Sequence, residues 1–483
     1  MLKTIFLSLC AAALATAPLN AAPSEDDFAV TDTMEPPAAD HMAWWKEAHL
    51  GMFIHFGLYS GLGGEFQGKF CGAEWTQNNL QISSSFYASE ALPLFKPAED
   101  CMKQWAALAK AAGCRYAVLT SKHHEGFALF DTETTQYSSQ ALLGRDLCRE
   151  FADACREEGL HVGFYHSVID WHHPHYDYTI PSDLPYPRYQ KEELELNNVP
   201  RDQEAYIAYL HKQAEELTTK YGKVDILWWD YSAGEMQGDR AWKATELMAA
   251  CRAHQPGIIM NNRLFAYAGL KANQEQDAAA AARTDNGDFI TPEQRVPEEG
   301  LGNQAWESCM TVGRNWGYNR YDTEFKSPAS VIATLEECVA KGGNLLLNIN
   351  PRGDGSVPEP VVEVFHRLGD WMQVNGEAIY GAVPATDITL PEGVRMVAVQ
   401  ENLYVYLPQQ KPEGESYTLS IPAHELDEVE PEILGQPDCA ITTERIELPG
   451  KDEPDARMLF RIPASAWDNA VENTPILRLG FGG

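Results

Sequence analysis

Basic charge is what this chain of 483 residues most lacks: 37 lysines and arginines stand against 70 aspartates and glutamates, a formal net charge of −33. Binding a phosphate backbone takes clustered lysine and arginine, so nucleic acid and anionic membrane surfaces are excluded as partners. No apolar run is long enough to cross a bilayer, which excludes membrane insertion. The ten cysteines contain no CxxC pair, so zinc-ribbon chemistry is unsupported. No G-x-G-x-x-G follows the first strand-like run, which removes support for a dinucleotide-binding sheet. Apolar content is not lacking. At 44% hydrophobic and 10% aromatic residues the chain has ample material for a packed core.

Residues 1–22, MLKTIFLSLCAAALATAPLNAA, place one lysine before an apolar stretch from Ile5 to Ala15 and close on the small residues Ala21 and Ala22. This is the layout of a secretory signal peptide and implies a secreted or periplasmic protein. Nine cysteines survive its removal, an odd number. They are expected to be core thiols with one or two bridges, since a protein of this size does not need a disulfide framework.

Beyond an acidic leader, strand-like runs alternate with helix-like segments. The strands are expected at 49–58, 115–124, 161–167, 223–230, 257–263, 305–312 and 343–351. The segments between them carry apolar residues at three- and four-residue steps and often end in glycine. Repeated β-then-α over some 330 residues means a parallel sheet. Polar and aromatic residues crowd the C-terminal ends of the strands, which favours an α/β fold of the (β/α)8-like TIM-barrel kind over an open sheet. From about Pro384 the pattern changes to short alternating runs such as VRMVAVQ, LYVYLP and YTLSIP between prolines and acidic turns. The chain therefore divides into the leader (1–22), a catalytic barrel (41–382) and a C-terminal all-β sandwich (384–483).

The strand KVDILWWD puts Trp228 and Asp230 on one face with Val224 and Ile226. At the mouth of a barrel this sets a carboxylate beside an aromatic plate, a pairing suited to stacking a sugar and attacking its anomeric carbon. Half of the fourteen histidines fall between residues 123 and 175. His55 ends the first strand and His123 and His124 end the second, a placement that suits a ligand rich in hydroxyls. His123 and His124 are consecutive and expected to point opposite ways, a poor arrangement for holding a metal. A retaining glycosidase needs a second carboxyl group as acid/base. Asp288, Glu293 and Glu307 are the candidates. Glu74 and Trp75, after the first strand, add an acid and an aromatic.

With those residues laid out, the chain resembles the glycoside hydrolase family 29 α-L-fucosidases from Trp44 to about Ala382. The resemblance rests on WWKEAHLGMFIHFGLYS (44–60), TSKHHEGFALFDTETTQYS (120–138), GLHVGFYHSVIDWHHPHY (159–176), VDILWWD (224–230), WGYN (316–319), KGGNLLLNINPRGDG (341–355) and NGEAIYG (375–381), in the family's order. It implies that Asp230 is the nucleophile and Trp228 a wall beside the sugar. It also implies that His55, His123 and His124 hold fucose hydroxyls, that Glu74 and Trp75 close the pocket, and that Tyr165 and Arg263 are further pocket positions. The T-x-E pattern in DFITPE points to Glu293 as acid/base, with Asp288 and Glu307 as alternatives.

The implied reaction is exo-hydrolysis of terminal α-linked L-fucose from fucosylated glycans or glycoconjugates by double displacement, with no metal or organic cofactor. Glu293 starts protonated in that scheme, which calls for a pKa raised by burial or by the charge of Asp230. Phe53, Trp228 and Trp306 are available to receive the 6-methyl group. Two features depart from the usual pattern: Phe56 follows His55 where tryptophan is common, and Glu125 follows the histidine pair where aspartate is usual. The loop SGLGGEFQGKFCGAEWTQNN (60–79) is unusual in composition and is expected to shape the aglycone side. Three other readings compete: a retaining glycosidase for another sugar such as galactose, a catalytically silent carbohydrate-binding protein on the same fold, and a metal-dependent hydrolase using the histidine cluster.

Overall fold

The computed structural model describes residues 40–70, 72–80, 82–176, 201–232, 236–265, 287–385, 388–423, 426, 429–448 and 455–481. The leader, with its expected signal peptide, lies outside them. Seven parallel strands form the central sheet, and each falls within one of the seven expected runs. They are β1 (Leu50–Ile54), β4 (Tyr116–Lys122), β5 (His161–Ser167), β6 (Ile226–Asp230), β7 (Ile259–Met260), β8 (Glu307–Thr311) and β9 (Asn344–Ile349), in the spatial order β7-β6-β5-β4-β1-β9-β8. A small antiparallel hairpin, β2 (Glu65–Phe66) and β3 (Lys69–Phe70), is inserted after β1.

The ring closes through a segment too short to count as a strand. Parallel bridges join Asn261 to Phe289 and Ile290 to Trp306, so residues 289–290 occupy the gap between β7 and β8. The backbone bonds run Asn262 N to Phe289 O at 3.0 Å, Ile290 N to Ala305 O at 3.0 Å and Glu307 N to Ile290 O at 2.8 Å. Eight parallel positions result, a (β/α)8-like barrel.

Alternation along the strands separates two cores. Phe53, Tyr116, Val118, Tyr165, Ile226, Trp228, Ile259, Phe289, Cys309 and Leu346 fill the inside of the ring. Their neighbours in sequence, such as Met52, Ala117, Leu227, Ile290 and Leu347, pack outward against the helices. Phe289 and Ile290 obey the same rule, which is why so short a segment serves as a barrel position. Beneath the ring, the helix Ala43–Ala48 plugs the floor with Met42, Trp45 and Ala48, anchored by Asn344 Nδ2 donating to Trp45 O at 2.8 Å. The helices around the barrel start on side-chain caps: Asp146 accepts from Arg149 N, Asp202 from Ala205 N and Ser327 from Ser330 N.

The C-terminal strands form two antiparallel sheets. One has the order β10 (Val383–Pro384), β11 (Arg395–Val399), β12 (Asn402–Tyr406), β17 (Ile476–Phe481), β14 (Val429–Ile433); the other is β13 (Ser416–Pro422), β16 (Asp455–Pro463), β15 (Thr442–Leu448). Both faces of the five-stranded sheet are covered. Val397, Tyr404, Tyr406 and Ile476 join the core of the barrel helices, while Met396, Leu403, Val405 and Leu477 meet Leu419, Phe460 and Ile462 of the second sheet. All eight cysteines among the described residues are free thiols, seven of them buried. The expected bridges are not found among them, because these thiols serve as small apolar side chains.

Candidate active site

A pocket opens at the C-terminal end of the barrel strands, lined by residues from seven of the eight barrel positions. Asp230, the last residue of β6, sits at its base. Its Oδ1 accepts from Arg263 Nη1 at 2.6 Å and its Oδ2 from the Tyr165 hydroxyl at 2.7 Å. Burial would raise its pKa, but the Arg263 charge, with His124 3.9 Å away, outweighs burial and holds the carboxyl below the ordinary carboxylate range. Asp230 is therefore ionised.

Arg263 connects the site. Besides Asp230 it binds Glu293 Oε2 through Nη2 at 3.0 Å and Thr291 Oγ1 through Nε at 2.8 Å, and it lies 4.5 Å over the Trp228 ring. Two carboxyl groups thus grip the two terminal nitrogens of one guanidinium. Arg263 lies between Asp230 and Glu293. Glu293 Oε1 also accepts from Trp316 Nε1 at 3.1 Å.

The histidines present acceptors. Ser167 Oγ donates to Ile169 O at 2.7 Å, so its single hydrogen is used and it accepts from His124 Nδ1, also at 2.7 Å. His55 Nδ1 donates to Asn348 Oδ1 at 2.7 Å, while the amide nitrogen of Asn348 donates to Trp316 O. In both rings Nε2 is left as a hydrogen-bond acceptor. Burial lowers both pKa values to about 4, keeping the rings neutral. His123, stacked 5.5 Å from Tyr165, completes the group.

His123 and His124 do not point opposite ways; their ring centroids are 4.0 Å apart and both line the pocket. They follow the end of β4, where the pairing register shifts between Thr120 and Lys122, so strand alternation no longer applies. Among the described residues no group of three or more His, Cys, Asp or Glu side chains is arranged to hold a metal.

Glu74 and Trp75 form the opposite wall. Glu74 Oε2 accepts from Gly317 N at 2.8 Å, and burial raises its pKa. Trp75 packs edge-on against His124 and Trp171. Of the twelve residues expected at the site, ten line this pocket. Asp288 does not, because its carboxylate is held by Arg252 Nη2 at 3.0 Å and Met260 N at 2.7 Å. Nor does Glu307, which is fully buried beneath Trp228. It accepts from Trp228 Nε1 at 3.2 Å and from the Tyr116 hydroxyl, and burial pushes its pKa up to about 7. Trp306, expected near the methyl group, is also outside the pocket.

Three lining residues had no place in the expected site, Tyr231, Cys309 and Trp316, while Phe53, expected as part of an apolar patch, lines the pocket and meets the His55, Trp228 and Trp316 rings. The WGYN segment carried a signal for Trp316. Tyr231 had none, and it adopts a left-handed backbone with φ 79° directly after Asp230. Glu125 is not in the pocket; it accepts from Leu58 N at 2.7 Å and from the Tyr87 hydroxyl, fixing the turn after β1.

Residues 19–377 match the model of the alpha-L-fucosidase family. The plasma alpha-L-fucosidase of Rattus norvegicus is 30% identical over 416 residues, covering 81% of this chain and 83% of the relative. The alpha-L-fucosidase of Dictyostelium discoideum is 29% identical over 364 residues, 71% of this chain and 72% of its own. Alpha-L-fucosidase isoenzyme 1 from Paenibacillus thiaminolyticus superposes with a TM-score of 0.75 at 34% identity, covering 92% of this chain and 99% of that one. The Thermotoga maritima alpha-fucosidase in complex with fucose superposes with a TM-score of 0.66 at 27% identity, covering 90% and 96%. From the family match over most of the barrel and these relatives, the chain belongs to the alpha-L-fucosidase family of glycoside hydrolases.

Proposed function

We propose that this protein is a secreted exo-α-L-fucosidase that removes terminal α-linked L-fucose from glycans with retention of configuration. The observation that carries the reading is the shared guanidinium: Asp230 and Glu293 bind the two terminal nitrogens of Arg263. That limits their separation and favours the roughly 5–5.5 Å spacing of retaining enzymes over the roughly 6.5–9.5 Å of inverting ones. Asp230, ionised and fixed by two donors, attacks the anomeric carbon while the bond to the leaving oxygen breaks and that oxygen takes the proton of Glu293. Water then attacks the fucosyl–Asp230 ester and returns a proton to Glu293. Glu293 is the more solvent-exposed of the two carboxyls, 19% against 11%, which suits the group that must exchange a proton.

His55 and His124 accept hydroxyl hydrogens through Nε2, and Phe53 with Trp316 gives a methyl group an apolar wall. The fucose-bound Thermotoga maritima relative supports the choice of sugar. In this reading residues 41–382 carry the chemistry, 384–483 buttress the barrel, and the 1–22 leader directs export. Protein recovered from the medium or periplasm is expected to begin at Pro23; recovery from the cytoplasm with Met1 intact overturns the export assignment.

Asp230→Gly tests the mechanism. Hydrolysis of a chromogenic α-L-fucoside is expected to fall on the order of 10⁴-fold or more. Azide should restore turnover as a fucosyl azide of inverted configuration. Near-normal hydrolysis by the variant removes Asp230 as nucleophile, and a wild-type protein that cleaves a β-galactoside but no α-L-fucoside removes the fucosidase reading.

A further inference from the structure

We infer that Phe70 and Tyr321 form an aglycone subsite, an aromatic platform that receives the sugar units next to fucose in an oligosaccharide. Phe70, 64% exposed, is the most exposed large apolar side chain among the described residues, and Tyr321 is 46% exposed. The two rings meet edge-to-face, 4.4 Å between centroids. Exposed aromatic pairs held this firmly mark binding surfaces rather than core left uncovered.

The platform is built in advance. Glu65 and Phe70 are cross-strand partners in the hairpin of β2 and β3, so they share one face. Tyr321 docks on that face twice, its ring against Phe70 and its hydroxyl donating to Glu65 Oε2. Tyr321 N donates to Asn319 Oδ1 at 3.0 Å, fixing its backbone. Arg320 Nη1 stands 3.6 Å from Glu65 and its Nη2 donates to Leu62 O at 2.9 Å. Beside the rings lie therefore a carboxylate and a guanidinium, an acceptor and a set of donors for hydroxyls. The opposite hairpin face, through Phe66, packs on Phe86.

Continuity with the pocket selects the occupant. The bond from Gly317 N to Glu74 Oε2 ties together the two chain segments that carry the platform, and both segments also wall the pocket, through Trp75 and Trp316. Phe70 is four residues from Glu74, a reach of at most roughly 14 Å. A glycan whose fucose fills the pocket extends past this rim. The apolar face of its next rings meets Phe70 and Tyr321, and its hydroxyls meet Glu65 and Arg320.

This inference rests on the fucosidase reading, so its test carries a substrate with no aglycone. Phe70→Ala, Tyr321→Ala and the double variant are compared with wild type on α-L-fucosyl fluoride and on 2′- and 3-fucosyllactose, with melting temperature as the check on folding. The ratio of kcat/KM for the better trisaccharide to that for the fluoride is expected to fall about tenfold in the double variant, mainly through KM. Tyr321→Phe, which keeps the ring, should retain most of the ratio. An unchanged ratio overturns the subsite, as does a wild-type enzyme that cleaves the fluoride but neither trisaccharide. A change in oligomeric state with the ratio intact also overturns it and makes the patch a contact between copies. Failure of wild type on the fluoride itself removes the fucosidase reading instead.

Discussion

The barrel and the C-terminal sandwich bury similar kinds of apolar side chain but differ in what else they bury. Across the barrel, charged and polar residues are enclosed throughout: His55, Glu74, Lys122, His123, His124, Glu125, Asp170, Asp230, Arg263 and Glu307 all lie below a tenth exposed. From Val383 onward, Thr474 is the one such side chain among the described residues, and it is satisfied by Val471 O at 2.9 Å. An enclosed polar group left without a partner costs about 1–3 kcal/mol, so a region kept free of them is optimised for packing alone. The barrel tolerates many because its polar groups hold one another: Arg263 between Asp230 and Glu293, Lys122 against Asp170 at 3.2 Å, Glu307 under Trp228. Among the described residues the sandwich encloses apolar side chains almost alone, whereas the barrel encloses many polar ones. That contrast, more than net charge, separates chemistry from scaffold.

The sharpest challenge to the contrast is within the barrel, where not every buried acid should matter to the reaction. Glu293→Ala is expected to lose about 10²–10⁴-fold on a fucoside with a poor leaving group and far less on an activated one, the pattern of a missing proton donor. Asp288→Asn, five residues away but held by Arg252 and Met260 N outside the pocket, should show no dependence on leaving group. If Asp288→Asn carries the dependence and Glu293→Ala does not, the roles are exchanged and pocket geometry is a poor guide to them.

That pair of acids also shows how far the sequence can be read. Strand existence was legible because each run couples β-branched residues, in most runs with aromatics, to a flanking helical period. Trp228 and Asp230 on one inward face followed from alternation alone. Ranking Asp288, Glu293 and Glu307 was beyond alternation. Glu307 lies on the inner face of β8, like Asp230 on β6, but near the start of its strand, at the floor of the barrel. Glu293 lies past the end of a two-residue barrel position that has no sequence period to reveal it. The pairing of His123 with His124 escaped for the same reason, since the strand ends one residue earlier and a register shift precedes it. Trp316 and Tyr231 reach the pocket from loops, whose course depends on tertiary contacts such as Gly317 N to Glu74.

A second challenge comes from the sandwich side. Phe460 is fully buried between the two C-terminal sheets. Phe460→Ala is expected to cost about 3–5 kcal/mol of stability, read by chemical denaturation. At temperatures where the variant remains folded, kcat/KM on fucosyl fluoride should match wild type. A large fall in kcat without unfolding would show that the sandwich does more than support the barrel.

The smallest effect concerns how the polar barrel responds to pH. His55, His124 and His173 titrate near 4 in the folded chain because burial disfavours their charged forms, against about 6.5 when unfolded. Between those values the unfolded chain binds more protons, so their contribution is complete above about pH 6.5 and is lost as pH falls toward 4. Glu125 and Glu307 behave in reverse. Burial raises both to about 7, and Glu336 to about 8, so the folded chain keeps protons that the unfolded chain releases near 4.5. Their contribution is complete below about pH 4.5 and is lost as pH climbs toward 7 or 8. The two sets oppose each other across the mildly acidic range, and above about pH 6.5 only the acids still act. Melting temperature is therefore expected to peak at about pH 5–6 and to decline toward 8. Glu307→Gln, which cannot ionise, should make the alkaline decline shallower by on the order of 1 kcal/mol and move the maximum to higher pH, while leaving the fall below about pH 4.5 in place. An equally steep alkaline decline in that variant would mean that Glu307 does not hold its proton beneath Trp228, and that the barrel floor is wetter than its burial implies.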